Sequence, residues 1–291
     1  MILLDLTGTM YANIAVNMGK GTKIEEDLVR HMVLNSIRAL KLQFKNYGEM
    51  VLCCDNKHYW RKDVFPYYKA KRKAGRDASG IDWKAVFDSM HKIKQELKEN
   101  FPYPLIDVHG AEADDVIGVM ATTKSRSEPP IMILSADRDM LQLQAYNPGY
   151  IKQWDPIRKK AVTHPNPVTY MYEHIMKGDA GDGIPNVLSP DDVFISGGRQ
   201  KPMRAERLSG LTFRAAVSSF SANHLMHDEP EEIRRNVARN EQLIKLSYTP
   251  KSICDAILAE YEAQQGKGKS KLFGYFIQHR LKHLMDAISD F

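Results

Sequence analysis

The chain has 291 residues, 43% of them hydrophobic and 26% charged, with a formal net charge of +5 and an isoelectric point near 8.9. It is long enough for a sizeable core in one or two domains. It has no apolar run fit to cross a bilayer, no basic leader before Met1-Ile2-Leu3-Leu4-Asp5, and three cysteines without metal-ligand or disulfide spacing. Secretion, membrane insertion and a disulfide-held fold are not expected, and a reducing cytosol is.

In chain order, the first six residues read as a short buried strand ending at Asp5. Glu25 to Tyr47 carries Leu28, Met32, Ile37 and Leu40 on one face of an amphipathic helix that Gly48 stops. Met50 to Cys54 is a second buried strand, followed by Asp55, and Asp82 caps a helix bearing Val86, Met90, Ile93 and Leu97. Leu105 to Val108 is a strand, Ala113 to Thr123 a helix, and Ile131 to Leu134 a strand that runs into Ser135-Ala136-Asp137-Arg138-Asp139. Tyr150 to Trp154 and Lys160 to Thr163 read as a peripheral hairpin. Beyond Pro167 the pattern is helical near 168–177, 212–221, 230–246, 250–263 and 272–288, with Gly266 to Lys269 as a flexible linker. The alternation predicts an α/β core over residues 1–165, with a mainly parallel central sheet flanked by helices, and a smaller, mostly helical C-terminal domain over 166–291.

Ligands of such a sheet collect outside the carboxyl ends of its strands, and that is where the acids fall. Asp5 and Asp55 follow two strands, and Asp137 and Asp139 follow a third. Glu112, Asp114 and Asp115 open a helix, where the dipole favours carboxylates, and Asp179 and Asp182 lie in the glycine-rich Gly178-Asp179-Ala180-Gly181-Asp182-Gly183. An isolated acid at a strand end is usually a turn or cap residue, the reading kept for Asp77, Asp88 and Asp191. Nine acids converging are different: each pair about 4 Å apart repels by roughly 4 kcal/mol at an effective dielectric near 20. Oxygen donors without interleaved His or Cys point to Mg²⁺, with Mn²⁺ able to substitute, and two such ions can cleave a phosphodiester.

Four segments carry a resemblance: Phe65-Pro66-Tyr67-Tyr68-Lys69-Ala70-Lys71-Arg72, Glu112-Ala113-Asp114-Asp115, Ser135 to Asp139, and Lys177-Gly178-Asp179-Ala180-Gly181-Asp182-Gly183-Ile184-Pro185. In this order they resemble the flap endonuclease and 5′-nuclease superfamily, and matches at Asp55 to Lys62 and Tyr275 to Phe291 extend the likeness to the ribonuclease H group of T-even-like phages. The resemblance implies a first metal site from Asp5, Asp55, Glu112, Asp114 and Asp115 and a second from Asp137, Asp139, Asp179 and Asp182, with Lys69, Asp139 and Asp182 central to catalysis. It implies that Lys69 contacts the scissile phosphate, that Tyr68 stacks on the terminal base, and that Arg61 and Arg72 support the same phosphate region. It also implies cleavage of RNA–DNA hybrid, duplex, flap and forked DNA from the 5′ end, RNA-primer removal in the cytoplasm of an infected bacterium, a monomer, and a single-strand-binding protein as partner through the C-terminal domain. Two departures stand out. The usual Asp-Gly after the first strand is Asp5-Leu6-Thr7, and the expected helix-hairpin-helix continues as Asn186-Val187-Leu188-Ser189-Pro190 in place of Gly-Val-Gly.

Lys57 to Arg76, within a gateway segment 57–80, alternates cations with rings: Tyr59, Trp60, Arg61, Lys62, Phe65, Tyr67, Tyr68, Lys69, Lys71, Arg72, Lys73 and Arg76. Cations that track a backbone and rings that stack on bases at roughly 1–3 kcal/mol each suit a single-strand channel without sequence preference. Trp60 and Phe65 are assigned to core packing, and Gly75 to Gly80 to a segment ordered by substrate. Two alternatives remain: a non-catalytic module binding branched DNA, which needs only the basic surface, and a PIN-like endoribonuclease, which needs neither the gateway nor so long a helical half.

Overall fold

A computed structural model describes residues 1–17, 25–124, 130–217 and 228–291. Six strands, β1 (Ile2–Asp5), β2 (Met50–Cys53), β3 (Leu105–Ile106), β4 (Ile131–Leu134), β5 (Ile151–Asp155) and β6 (Lys160–Ala161), form one sheet in the order β3-β2-β1-β4-β5-β6. The first five are parallel, and β6 alone runs antiparallel, against β5. The expected peripheral hairpin is therefore half right. Its second arm is a short edge strand, but its first is a full parallel member, with Ile131 to Leu134 registered on Ile151 to Trp154.

Strand side chains alternate between two cores. Ile2, Leu4, Met50, Leu52, Met132 and Leu134 face one, and Leu3, Val51, Cys53, Ile131 and Ile133 face the other. Helices cover both faces, which is why these strands are apolar throughout. On the first face lie α1 (Leu6–Asn17), α2 (Glu26–Gln43) and α5 (Trp83–Asn100). The second is covered by α6 (Ala113–Lys124) and the helix Lys251–Ala263. The buried stripe of α2 is Val29, Val33, Leu34, Ile37 and Leu40, so Leu28, assigned to it from sequence, is instead 44% exposed. Asp82 caps α5 as expected, accepting from Ala85 N at 3.0 Å.

Between β2 and α5, Arg61–Val64 (α3) and Lys71–Ala78 (α4) are short helices, so most of the stretch assigned to substrate-dependent ordering is helical. After the sheet come α7 (Pro167–Lys177), α8 (Ala205–Val217) and a helix over Glu231–Ile244. The helix expected over 212–221 starts earlier, and its residues from 218 on lie outside the described ones. The boundary proposed near 165 marks the end of the strands, but the chain beyond it does not keep a core to itself. Leu246, Ile257 and Tyr261 belong to one sheet core, while Leu272, Tyr275, Phe276, Leu284 and Phe291 complete the other. A third cluster among the described residues is built chiefly from later ones, Tyr172, Ile175, Met176, Val187, Leu211, Val237 and Ile244, and it takes in Phe65 and Tyr68 of the gateway.

Candidate active site

The order of the sheet reverses direction between β1 and β4, and a crevice opens where strands diverge in this way. A cleft of about 320 Å³ lies there, lined by Asp5, Gly8, Thr9, Ser135, Asp137 and Ile157. Asp5 ends β1 and acts at once as an N-cap for α1. Its Oδ1 accepts from Gly8 N at 2.7 Å and its Oδ2 from Ser135 Oγ at 3.0 Å. A Cβ on Gly8 would stand 2.6 Å from Asp5 Oδ2, so glycine lets the carboxylate lie over the first turn. This is how the chain manages without the usual Asp-Gly turn: the helix starts directly at Leu6.

The other acids are placed by the same kind of local bonding. Thr7 Oγ1 accepts from the backbone N of Asp55 at 2.9 Å, and Asp55 Oδ1 accepts from Ala113 N at 2.8 Å, which ties the end of β2 to the start of α6. Asp114 stands in the first turn of α6. Beyond β4, Gln153 of β5 donates to the carbonyls of Ser135 and Asp137 at 3.0 and 2.6 Å, and Asp137 Oδ1 accepts from Asp139 N at 2.8 Å. In the glycine loop, Asp179 Oδ1 accepts from the backbone of Gly181 and Asp182 at 2.7 and 3.1 Å.

Asp5, Asp55, Asp114, Asp137, Asp139 and Asp182 lie near enough to perturb one another. Burial, with Asp55 beside it, raises the Asp5 carboxyl to about 6, and burial with Asp139 raises Asp137 to about 7. Burial and Asp137 push Asp114 well above the usual carboxylate range. Crowded oxygen donors that hold protons for lack of counter-charge are the donor set a hard divalent cation fits.

Lysine and arginine supply part of that counter-charge. Lys69 Nζ is 2.5 Å from Glu112 Oε1 and 3.4 Å from Asp182 Oδ2, and Arg72 is 2.5 Å from Asp182 Oδ1. Burial opposes the Lys69 charge, yet Glu112 and Asp182 hold its ammonium above the ordinary lysine range. The backbone here is latched: Lys69 has φ 55°, its N donates to Asp182 O at 2.7 Å, and a Cβ on Gly183 would meet Tyr67 O at 2.9 Å. The gateway is thus docked on the acidic loop.

Several of the expected site residues are engaged within the protein itself. Arg61, assigned to the phosphate region, is 2% exposed and fully engaged. Its guanidinium lies 2.9 Å from Glu112 Oε2 and from both Asp115 oxygens, and donates to Leu243 O at 2.8 Å. Asp115 is engaged on both oxygens, since Thr249 Oγ1, Glu112 N and Trp60 Nε1 also donate to it. Glu112 is held on both oxygens, by Lys69 on one and by Arg61 and Tyr68 on the other. Tyr68 offers no ring face to a base: it is 3% exposed, and its hydroxyl lies 2.9 Å from Asp182 Oδ2 and 3.0 Å from Glu112 Oε2. Trp60 and Phe65 are core residues, as expected. The cations left exposed are Lys57, Lys62, Lys71, Arg72 and Lys73, and Lys57 and Lys62 line a second cleft of about 450 Å³ with His58 and His109.

The sequence reading missed one member of the site. His174 of α7 places Nε2 at 3.1 Å from Asp139 Oδ1 and 3.6 Å from Asp179 Oδ2. Burial works against its charge, but the two carboxylates raise the imidazole to about 10, and His174 in turn lowers Asp179 to about 2. In the sequence it reads as a basic residue in the last turn of a helix, satisfying the dipole. The helix-hairpin-helix is also altered. After Ile184 the chain turns without forming a second helix before Ala205, and the side-chain amides of Asn236 and Asn240 hold the carbonyls of Val187, Ile175 and Pro185.

Two family profiles cover the chain: the 5′-3′ exonuclease N-terminal resolvase-like domain matches residues 2–173, and the T4 RNase H C-terminal region matches 166–291. The chain is 32% identical over 295 aligned positions to the ribonuclease H of Enterobacteria phage T4, across 99% of this chain and 95% of that protein. It is 29% identical over 179 positions to a 5′-3′ exonuclease of Mycobacterium tuberculosis, across 55% of this chain and 56% of that protein. The bacteriophage T5 flap endonuclease, in a crystal structure with DNA and metal ions, superposes with a TM-score of 0.67 at 13% identity, over 90% of this chain and 98% of that one. The T5 5′-exonuclease with bound zinc gives 0.60 at 14% identity, over 91% and 99%. At such identities the superpositions show a common fold. With the acids at the strand ends, the basic gateway and matches along nearly its whole length, the protein belongs to the 5′-3′ exonuclease family, as an enzyme of the branch that carries the T4 RNase H C-terminal region.

Proposed function

We propose that the protein is a divalent-cation-dependent 5′-3′ nuclease that hydrolyses RNA–DNA hybrid and duplex DNA from the 5′ end, cuts 5′ flaps, and removes RNA primers during phage DNA replication. The observation that carries this reading is the crowding of Asp5, Asp114 and Asp137, which burial and neighbouring carboxylates drive to hold protons. Asp5, Asp55, Asp114 and Asp137 would hold one cation and Asp139, Asp179 and Asp182 a second, Mg²⁺ by the preference of oxygen donors. Bound there, such cations lower the pKa of a water and draw off negative charge from the phosphoryl oxygens.

This chain's own residues do the positioning. Lys69, and Arg72 at the mouth, are within reach of Asp182 and offer cationic donors where the scissile phosphate would lie. The Tyr68 hydroxyl sets the spacing of Glu112 from Asp182, and the Arg61 pair fixes Glu112 against α6. Exposed Lys57, Lys62, Lys71 and Lys73 track the polynucleotide backbone without reading bases. Products would carry 5′-phosphate and 3′-hydroxyl ends.

The test is digestion of 5′-labelled RNA–DNA hybrid, nicked duplex and flap substrates with and without Mg²⁺, read by product length. Asp139→Asn is expected to lose cleavage by about a hundredfold or more while binding substrate, since even an outer partner of a metal is worth about 10- to 100-fold. Undiminished turnover by that variant would remove the two-cation assignment.

A further inference from the structure

Asp139, His174 and Asp179 present three ligand atoms within 4.8 Å of one another. Their bonding leaves those atoms free for a common target. Asp179 Oδ1 is taken by two backbone amides, which turns Oδ2 towards the imidazole, and the His174 Nε2 atom is buried without a hydrogen bond despite its closeness to both carboxylates. The ring is held in that pose. Tyr170, one turn earlier on α7, stacks on it at an interplanar angle of 8°, and Arg138 lies over the Tyr170 ring at 5.1 Å. A buried, oriented nitrogen with no hydrogen bond, facing two carboxylates, is more than the counter-charge that an exposed lysine would supply.

We propose that His174 is a nitrogen ligand of the second cation site, completing with Asp139 and Asp179 a mixed set of two oxygens and one imidazole. Separations of 3.1 and 3.6 Å suit neighbouring ligands of one ion whose bonds are about 2.0–2.2 Å. One imidazole among oxygen ligands moves the preference of the site from Mg²⁺ towards Mn²⁺, Co²⁺ or Zn²⁺.

The inference rests on the cation reading proposed above, and the experiment separates the two. The full-length protein is titrated with Mn²⁺ and examined by pulsed electron paramagnetic resonance for nitrogen hyperfine coupling. Wild type is expected to show imidazole coupling that disappears in both His174→Gln and His174→Lys, with one class of Mn²⁺ weakened about tenfold or more and the Mn²⁺-over-Mg²⁺ preference reduced. The lysine variant keeps the positive charge, so retention of tight Mn²⁺ in that protein would make His174 a counter-ion and overturn the proposal. Absence of nitrogen coupling in wild type, with Mn²⁺ still lost on Asp139→Asn, overturns it while leaving the cation site intact. No Mn²⁺ binding sensitive to Asp139→Asn or Asp179→Asn would remove the cation reading, and this inference with it.

Discussion

Arg61 and Lys71 stand ten residues apart in one basic run, yet the structure gives them opposite work. Arg61 is a buried counter-ion for Asp115 and Glu112, and Arg61→Met would leave Asp115 without its cation in the interior while Glu112 keeps Lys69. Breaking a buried pair from one side costs about 3–5 kcal/mol, so denaturant unfolding should show a loss of that size. The salt dependence of substrate binding should keep its slope in that variant. Lys71 is exposed, with its ammonium over Phe194 at 4.6 Å, and Lys71→Ala should lower the slope of log affinity against log salt by about one while leaving stability nearly unchanged. Sequence pattern exposes charge, ring and spacing but not which cations point inward. The strand-end acids were readable because a strand's last residue must face the rim, whereas Asp115, one residue after Asp114, turns about 100° around α6 and meets Arg61. His174 escaped notice because helical periodicity marks apolar faces, and its role depends on a turn that packs Asp139 against α7.

At the level of elements, the glycine loop after α7 is the part whose backbone tolerates least. Gly178 has φ 67°, and a Cβ there would collide with Ile184 O and the Pro185 carbonyl group. Gly178→Ala should therefore unseat the loop that carries Asp179 and Asp182, with a marked drop in Tm and loss of cleavage together. Gly8→Ala tests the other rim more gently. Its Cβ would press on Asp5 Oδ2, a side chain that can rotate, so folding should survive while cation affinity falls by about tenfold or more, measured by Mn²⁺ titration. The parallel strands and the helices of the first half follow from period and capping, as Asp82 and α5 illustrate. The later half was legible as helical but not as to destination. Nothing local distinguishes a helix that closes the sheet's own core, as Leu272 and Phe276 do, from one in a separate domain.

Across the whole molecule, the crowded carboxylates couple folding to pH and to cations. Asp5 and Asp137 bind protons more tightly folded than unfolded, with values of about 6 and 7 against 3.8. Between pH 4 and pH 7 the folded state therefore holds more protons, and stability in chelator should fall as pH rises through that window. His174, raised to about 10 from 6.5, contributes most below pH 6.5 and loses its share as pH climbs towards 10, so it adds to the decline. Calorimetry in EDTA should give a Tm roughly 5 °C lower at pH 7.5 than at pH 5.5, and Mg²⁺ should restore more at the higher pH. Equal gains from Mg²⁺ at both would show that the acids and the ion do not compete with protons for the same oxygens. The latch at Lys69 has a consequence of its own. Its ammonium bridges Glu112 and Asp182, so under the proposed function a cation held at Asp182 would compete with Lys69 for that carboxylate and leave the ammonium available to an incoming strand. Metal and polynucleotide should then each tighten the other by one shared factor, the reciprocity that any linked pair of ligands must obey.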